Sequence, residues 1–99
     1  MQYLVQDEAF EWDDAKAALN WRNHGVSFEA ARGVFKDIFA VEWTDDRRGG
    51  AEERFVTIGM TDGRLLFVVW TLRGERIRII SARGAEPRER RRYRNENET

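Results

Sequence analysis

Between Arg76 and Arg94 the chain reads RIRIISARGAEPRERRRYR, eight arginines against two acids, Glu86 and Glu89. A guanidinium is a planar fork of donors that meets phosphate or carboxylate oxygens in pairs, whereas an ammonium is a point charge. The chain uses fifteen Arg and only two Lys. A GC-rich genome would favour arginine codons, but it would not gather them at one end. His24, the single histidine, is the side chain whose ordinary pKa lies near neutrality. It sits where a helix should end. Glu89 and Tyr93 are four apart and share a helix face. These residue types could bind an anion at several points and move a proton beside it. Each also has a plainer reading. His24 can cap its helix, Glu89 can pair with a neighbouring arginine, and the 88–94 run can face solvent or a partner.

The overall charge of −1 hides this organisation. Residues 1–53 hold six basic and twelve acidic side chains, and residues 54–99 hold eleven and six. Such asymmetry points to a polyanionic partner. Ninety-nine residues, 41% of them hydrophobic, make a single domain with a modest core. The absence of cysteine excludes a disulfide framework and thiolate metal sites, and one histidine argues against an imidazole zinc site. No metal and no cofactor are expected. The longest apolar run, Leu65 to Trp70, is far short of the roughly 20 residues that cross a bilayer. MQYLVQDEAFEW lacks the basic and apolar regions of a signal peptide. The expectation is a cytoplasmic protein without membrane contact.

The elements that must position these groups follow from period and punctuation. Ala9 to Trp12 reads as a short strand, and Asp13 as the N-cap of a helix over 14–24 that Gly25 stops. Ala15, Ala18, Leu19 and Arg22 form one side of it and Ala17, Trp21 and His24 another. Periodicity does not choose between them. Ser27 caps a second helix, Phe28 to Lys36, with Phe28, Ala31 and Phe35 toward the core. Period two then gives strands over 38–44, 54–60, 64–71 and 76–81. The run from Asp45 to Glu53 reads as a mobile loop, and Asp62-Gly63 as a tight hairpin turn. Pro87 opens a last helix to Arg94, and 95–99 is a fraying tail. The fold class is α+β: a short first strand, a two-helix hairpin, a four-stranded antiparallel meander and an arginine-rich C-terminal helix. Ile77 and Ile79 face the core, Arg76 and Arg78 the opposite face. The last helix should begin near those two arginines and complete an anionic-ligand site. Trp12, Trp21, Trp43 and Trp70 are expected in the core, although Trp43 at a strand end could instead stack on a base.

FEWDDAKAALNWRNHGVSFEAA, EERFVTIGMTDGRLLFVVWT and RIRIISARGAEPRERRRY, in this order, resemble the BrnT family of type II toxins, within the RelE-like ribonuclease superfamily. The resemblance implies a single RelE-like toxin domain over 1–99 and a metal-independent endoribonuclease that arrests growth by cutting RNA. It implies a cognate ribbon-helix-helix antitoxin (BrnA-like), encoded alongside, that neutralises the toxin and binds operator DNA. It allows a homodimer or a heterotetramer with that antitoxin. The chain departs from the family pattern at Asn23 and Gly84, where many relatives carry lysine, and at Pro87, where they often carry arginine.

Metal-free cleavage by 2′-OH attack needs a base, a leaving-group acid and stabilisation of a crowded phosphorane. Arg78, Arg83, Arg91 and Arg92 are the candidates for the last task. His24, Glu89 and Tyr93 are the acid–base candidates. Arg76, Arg78, Arg88 and Trp43 are candidates for holding RNA. The alternative function is a catalytically weak or inactive basic module that holds an acidic antitoxin partner and supports operator binding.

Overall fold

The computed structural model describes residues 9–45 and 52–98. The Asp13 carboxylate accepts from the N–H groups of Ala15 (2.8 Å) and Lys16 (3.2 Å), two of the amides that a helix start leaves without partners. This launches α1, Asp14–His24, which ends on Gly25 at φ +65°. Ser27 Oγ accepts from Ala30 N–H and starts α2, Phe28–Ala31. The helix expected to reach Lys36 then tightens into a 3-10 segment, Arg32–Lys36. That segment sits directly on a sheet strand. A Cβ added to Gly59 would lie 2.8 Å from Val34 Cβ and 2.9 Å from its carbonyl oxygen, so only glycine permits the approach. The two-helix hairpin is thus corrected to one full helix, a single α turn and a 3-10 segment.

The strands are β1 (Phe10–Glu11), β2 (Val41–Asp45), β3 (Arg54–Thr61), β4 (Arg64–Arg73) and β5 (Arg76–Gly84). They form one sheet of order β1-β5-β4-β3-β2. β2 to β5 pair antiparallel, but β1 joins β5 in parallel, Phe10 opposite Ile77 and Glu11 opposite Arg78. The fold is α+β; the four expected strands pair antiparallel in succession, but β1 joins them in parallel, so the sheet is five-stranded and mixed rather than a four-stranded meander. A strand of two residues carries too little alternation for its pairing to be read. Asp62 (φ +50°) and Gly63 (φ +77°) make the tight β3–β4 turn.

Three boundaries shift. β2 begins at Val41, because Ile38 and Phe39 occupy a turn closed by Ala40 N–H donating to Asp37 O. β5 continues past Ser81 to Gly84. The last helix, α3, is Pro87–Asn97, so 95–97, expected to fray, are helical. The expected mobile loop falls largely on 46–51, outside the described residues.

One sheet face carries Phe55, Leu66, Val68, Trp70, Ile77, Ile79 and Ala82 against Val26, Phe28, Ala31 and Val34 beneath α1 and α2. The other carries Val56, Ile58, Leu65 and Phe67, with Trp43 and Tyr93 packed against them. From α1 the sheet takes Ala17 and the buried Asn20, leaving Leu19 and Trp21 52% and 61% exposed. Trp21, expected in the core, is a surface residue. Asn20 Nδ2 donates to the carbonyls of Ala82 (2.8 Å) and Val26 (2.9 Å), and its Oδ1 accepts from Ala82 N–H (3.1 Å). One amide side chain thereby occupies the edge of β5 beyond the reach of β1. Asn20→Leu would leave an N–H and two carbonyls unpaired in the interior. We expect it to cost about 2–4 kcal/mol, read as a lower urea midpoint at unchanged m-value.

Candidate functional site

α3 contains no buried residue, so no apolar stripe holds it to the sheet. Polar anchors hold it instead. Arg83, at the end of β5, forks onto Glu89: Nη1 to Oε1 at 2.9 Å and Nη2 to Oε2 at 2.8 Å. Glu89 Oε1 also accepts from Glu86 N–H at 2.8 Å and closes the first helical turn, where Pro87 has no N–H to place. Arg83 donates to Gly84 O at 3.1 Å and lies 4.1 Å over the Phe67 ring. Burial pushes the Glu89 carboxyl up, but the Arg83 hydrogen bonds, the Glu86 N–H and the charges of Arg83 and Arg88 outweigh it. They hold the carboxyl below its ordinary 4.5. The Glu89 hydrogen bond likewise raises Arg83 above its usual value, against the effect of burial.

The second anchor is Asp37. Its carboxylate accepts from Phe39 N–H (2.9 Å), Met60 N–H (2.7 Å) and the Tyr93 hydroxyl (2.7 Å). Burial works against the charge, yet these three donors keep Asp37 below its ordinary 3.8. Burial, then the bond to Asp37, pushes the Tyr93 hydroxyl up to about 12. One turn further on, Asn97 Nδ2 donates to Phe39 O at 2.9 Å.

So anchored, α3 crosses one end of the sheet and leaves a cleft of about 560 Å³ beside it, lined by Trp43, Val56, Phe67, Arg83, Glu86, Arg88, Glu89 and Arg92. Arg92 lies 3.9 Å over the Trp43 ring and donates to Glu96 at 2.9 Å. Trp43 and Phe67 meet edge to face at 6.2 Å. Two guanidinium groups are therefore each seated on an aromatic ring in one cleft, a contact that orients them, while the edge of Arg83 is taken by Glu89 and Arg92 Nε by Glu96.

The structure brings Arg83, Arg88, Glu89, Arg92 and Trp43 together in this cleft, with Tyr93 behind it under the helix. It does not bring in the others. His24 ends α1, which covers the opposite sheet face, and is exposed there beside Asn23. Arg91 is two residues past Glu89, about 200° round the helix, on its outer side. Arg76 and Arg78 lie seven and five residues before Arg83 on β5, about 20 Å away at the rise of a strand. The expected site uniting them with the last helix is corrected, because β5 runs on before the helix begins. Arg78 instead pairs with Glu11 at 2.7 Å, and Arg76 is exposed opposite Arg73 at the hairpin end. Of Asn23 and Gly84, only Gly84 adjoins the cleft, next to Arg83. Asp37 was missed in the sequence. Its one signal was an acid followed by Ile and Phe, an apolar pair at the centre of a turn.

Among the described residues, no group of three or more His, Cys, Asp or Glu side chains could hold a metal ion, and no helix is long and apolar enough to cross a membrane. Residues 12–89 match the model of a family described as ribonuclease toxin, BrnT, of type II toxin-antitoxin system. No curated protein matches the chain.

Acid should undock α3. Asp37 and Glu89 both titrate below their ordinary values, so the stability they contribute is full above about pH 4.5 and is lost as pH falls through their lowered pKa values. Urea midpoints measured between pH 7 and 3 should fall below pH 4.5, and the fall should be shallower in Asp37→Asn. At pH 7, Tyr93→Phe should cost about 1–2 kcal/mol in the same assay.

Proposed function

Because the chain belongs to the BrnT family of ribonuclease toxins of type II toxin–antitoxin systems, we propose that the cleft beside α3 holds a single RNA strand and cuts it without a metal ion. The observation that carries this reading is the pair of guanidinium groups, Arg83 on Phe67 and Arg92 on Trp43, in one cleft with Arg88. Single-stranded nucleic acid is held by aromatic platforms for bases and cations for the backbone, and this cleft offers both. Arg88 and Arg92 clamp the phosphates on either side of the scissile bond. Trp43 takes a base as Arg92 swings to phosphate.

The 2′-OH attacks its adjacent phosphorus in line, and the 5′-oxygen of the next nucleotide leaves. Charge builds on the phosphorane oxygens, where Arg83 is best placed. A phosphate on the Arg83 fork displaces Glu89. Freed of its partner, that carboxylate loses what held its pKa down and can accept the 2′-OH proton. The leaving oxygen takes a proton from water. Tyr93 keeps its proton and serves to hold the helix. The partner is a ribbon-helix-helix antitoxin that carries operator binding, in the cytoplasm, and the toxin acts as a homodimer or joins the antitoxin in a heterotetramer.

A second reading, binding without cleavage, is favoured by three observations. Both Glu89 oxygens are engaged, Tyr93 is tied to Asp37, and Gly84 leaves no lysine beside them.

Purified chain should cleave RNA equally with and without EDTA. Arg83→Ala should lower the rate about 10²–10³-fold, with circular dichroism to confirm that it folds. Intact RNA under a soluble, folded chain would favour the second reading. Induced without antitoxin, the chain should arrest bacterial growth, and normal growth with confirmed soluble protein would count against an active enzyme. RNA affinity should fall steeply with salt. Replacing Arg88 and Arg92 together by Ala should flatten the log–log slope by about 1.4, near 0.7 per lost phosphate contact. An unchanged slope would show that the cleft does not touch the backbone.

A further inference from the structure

Outside the lining of the cleft, the turn from Asp37 to Ala40 has Ile38 and Phe39 at its centre, 88% and 55% exposed. Turn centres favour Gly, Asn, Asp and Pro, which adopt the needed dihedrals or bond locally, and nothing in turn chemistry asks for two large apolar side chains. The backbone of Met60, whose side chain is 42% exposed, is held close to this turn, because one Asp37 carboxylate bonds the N–H groups of both Phe39 and Met60. The Asp37 bonds and the Asn97 bond to Phe39 O tie the backbone of this patch to β3 and α3.

Charge borders this patch on one side. Glu89, Tyr93 and Asn97 form the line of α3 that touches the sheet, with Arg92 and Glu96 on the cleft flank. Arg90 and Arg94, four apart, fall by helix geometry on the other flank, the one toward the Met60–Leu65 row at the sheet end. Both are exposed, and no acidic side chain pairs with either among the described residues. An apolar knob edged by two uncompensated arginines fits a partner helix with an apolar face bordered by carboxylates.

We propose that Ile38, Phe39 and Met60, with Arg90 and Arg94, are the anchor for the neutralising antitoxin, which presents an amphipathic acidic helix to them. The family supplies the existence of that partner; the place and its chemistry come from the patch. The anchor is distinct from the RNA cleft, so the partner need not displace substrate in order to bind. It grips the outer flank of α3 and the turn that receives Tyr93, and it can pass over the helix to the arginines of the cleft.

The test uses the full chain and the antitoxin encoded alongside it, with affinity measured by titration calorimetry. Ile38→Asp combined with Phe39→Asp should weaken binding at least 100-fold, with an unchanged thermal melt because both side chains are exposed. Arg90→Glu with Arg94→Glu should weaken it about 10-fold and remove most of the salt dependence. Both double variants should cut RNA at the rate of the unaltered chain, which separates this inference from the reading of the cleft. If cleavage is absent throughout but antitoxin binding responds as described, the anchor stands and the enzymatic reading falls. Unchanged affinity in both variants would overturn the anchor. So would light scattering that shows the free chain dimerising through the patch, with Ile38→Asp abolishing the dimer and leaving antitoxin affinity intact.

Discussion

An arginine-rich helix with no apolar residue but the Tyr93 ring to set against the sheet must still be held to it, and that constraint shapes the functional half of the molecule. α3 has a polar or charged side chain at every position but Pro87 and Tyr93. Most surface helices are held by an apolar stripe, which is indifferent to charge. Here the Arg83–Glu89 fork at one end and the Asp37–Tyr93 bond at the other replace it. Both rest on ionised carboxylates, so the seating of the helix is electrostatic, and directional in a way apolar packing is not. The same fork that docks the helix occupies the Arg83 guanidinium, to which the proposed function assigns the phosphate. Binding an anion there and loosening the first turn of α3 are therefore one event.

The concentration of arginine is resolved into separate tasks. At the hairpin end of β5, Arg78 closes the short parallel pair through Glu11. At the other end Arg83 and Arg92 sit on aromatic rings. Such rings lower the cost of gathering like charges, because each cation gains a local partner that is not an acid. A neutral cleft floor with a cationic rim suits a ligand whose bases are apolar and whose backbone is charged.

Much of this was legible in the sequence, and the rest was hidden for identifiable reasons. Asp13, Gly25, Ser27 and Asp62-Gly63 act through bonds to near neighbours, so each announced its cap or turn. The alternation of RIRII placed Ile77 and Ile79 correctly because period two is a property of one strand. Asn20 was invisible, since its partner Ala82 lies 62 residues away and an asparagine on a helix reads as surface. The 3-10 segment depends on Gly33 and Gly59 meeting residues of another element. The site showed the same division. Glu89 and Tyr93 shared a helix face as their spacing required. The ends of the sheet to which Arg76 and Arg83 belong depended on how far β5 ran, and no residue marked that end until Pro87.

The side chain of Asn20 has one more consequence, for how copies of this chain behave in a crowded cell. An outer strand displays a row of unmet donors and acceptors, and such rows recruit other strands into aggregates. β1 covers only two residues of that border. By presenting a carbonyl and an amide to Ala82, Asn20 imitates the next strand and turns away a real one. A single helical residue thus performs a sanitary function usually assigned to lysines, prolines or bulges. It does so without charge, at the border next to the most cationic part of the protein.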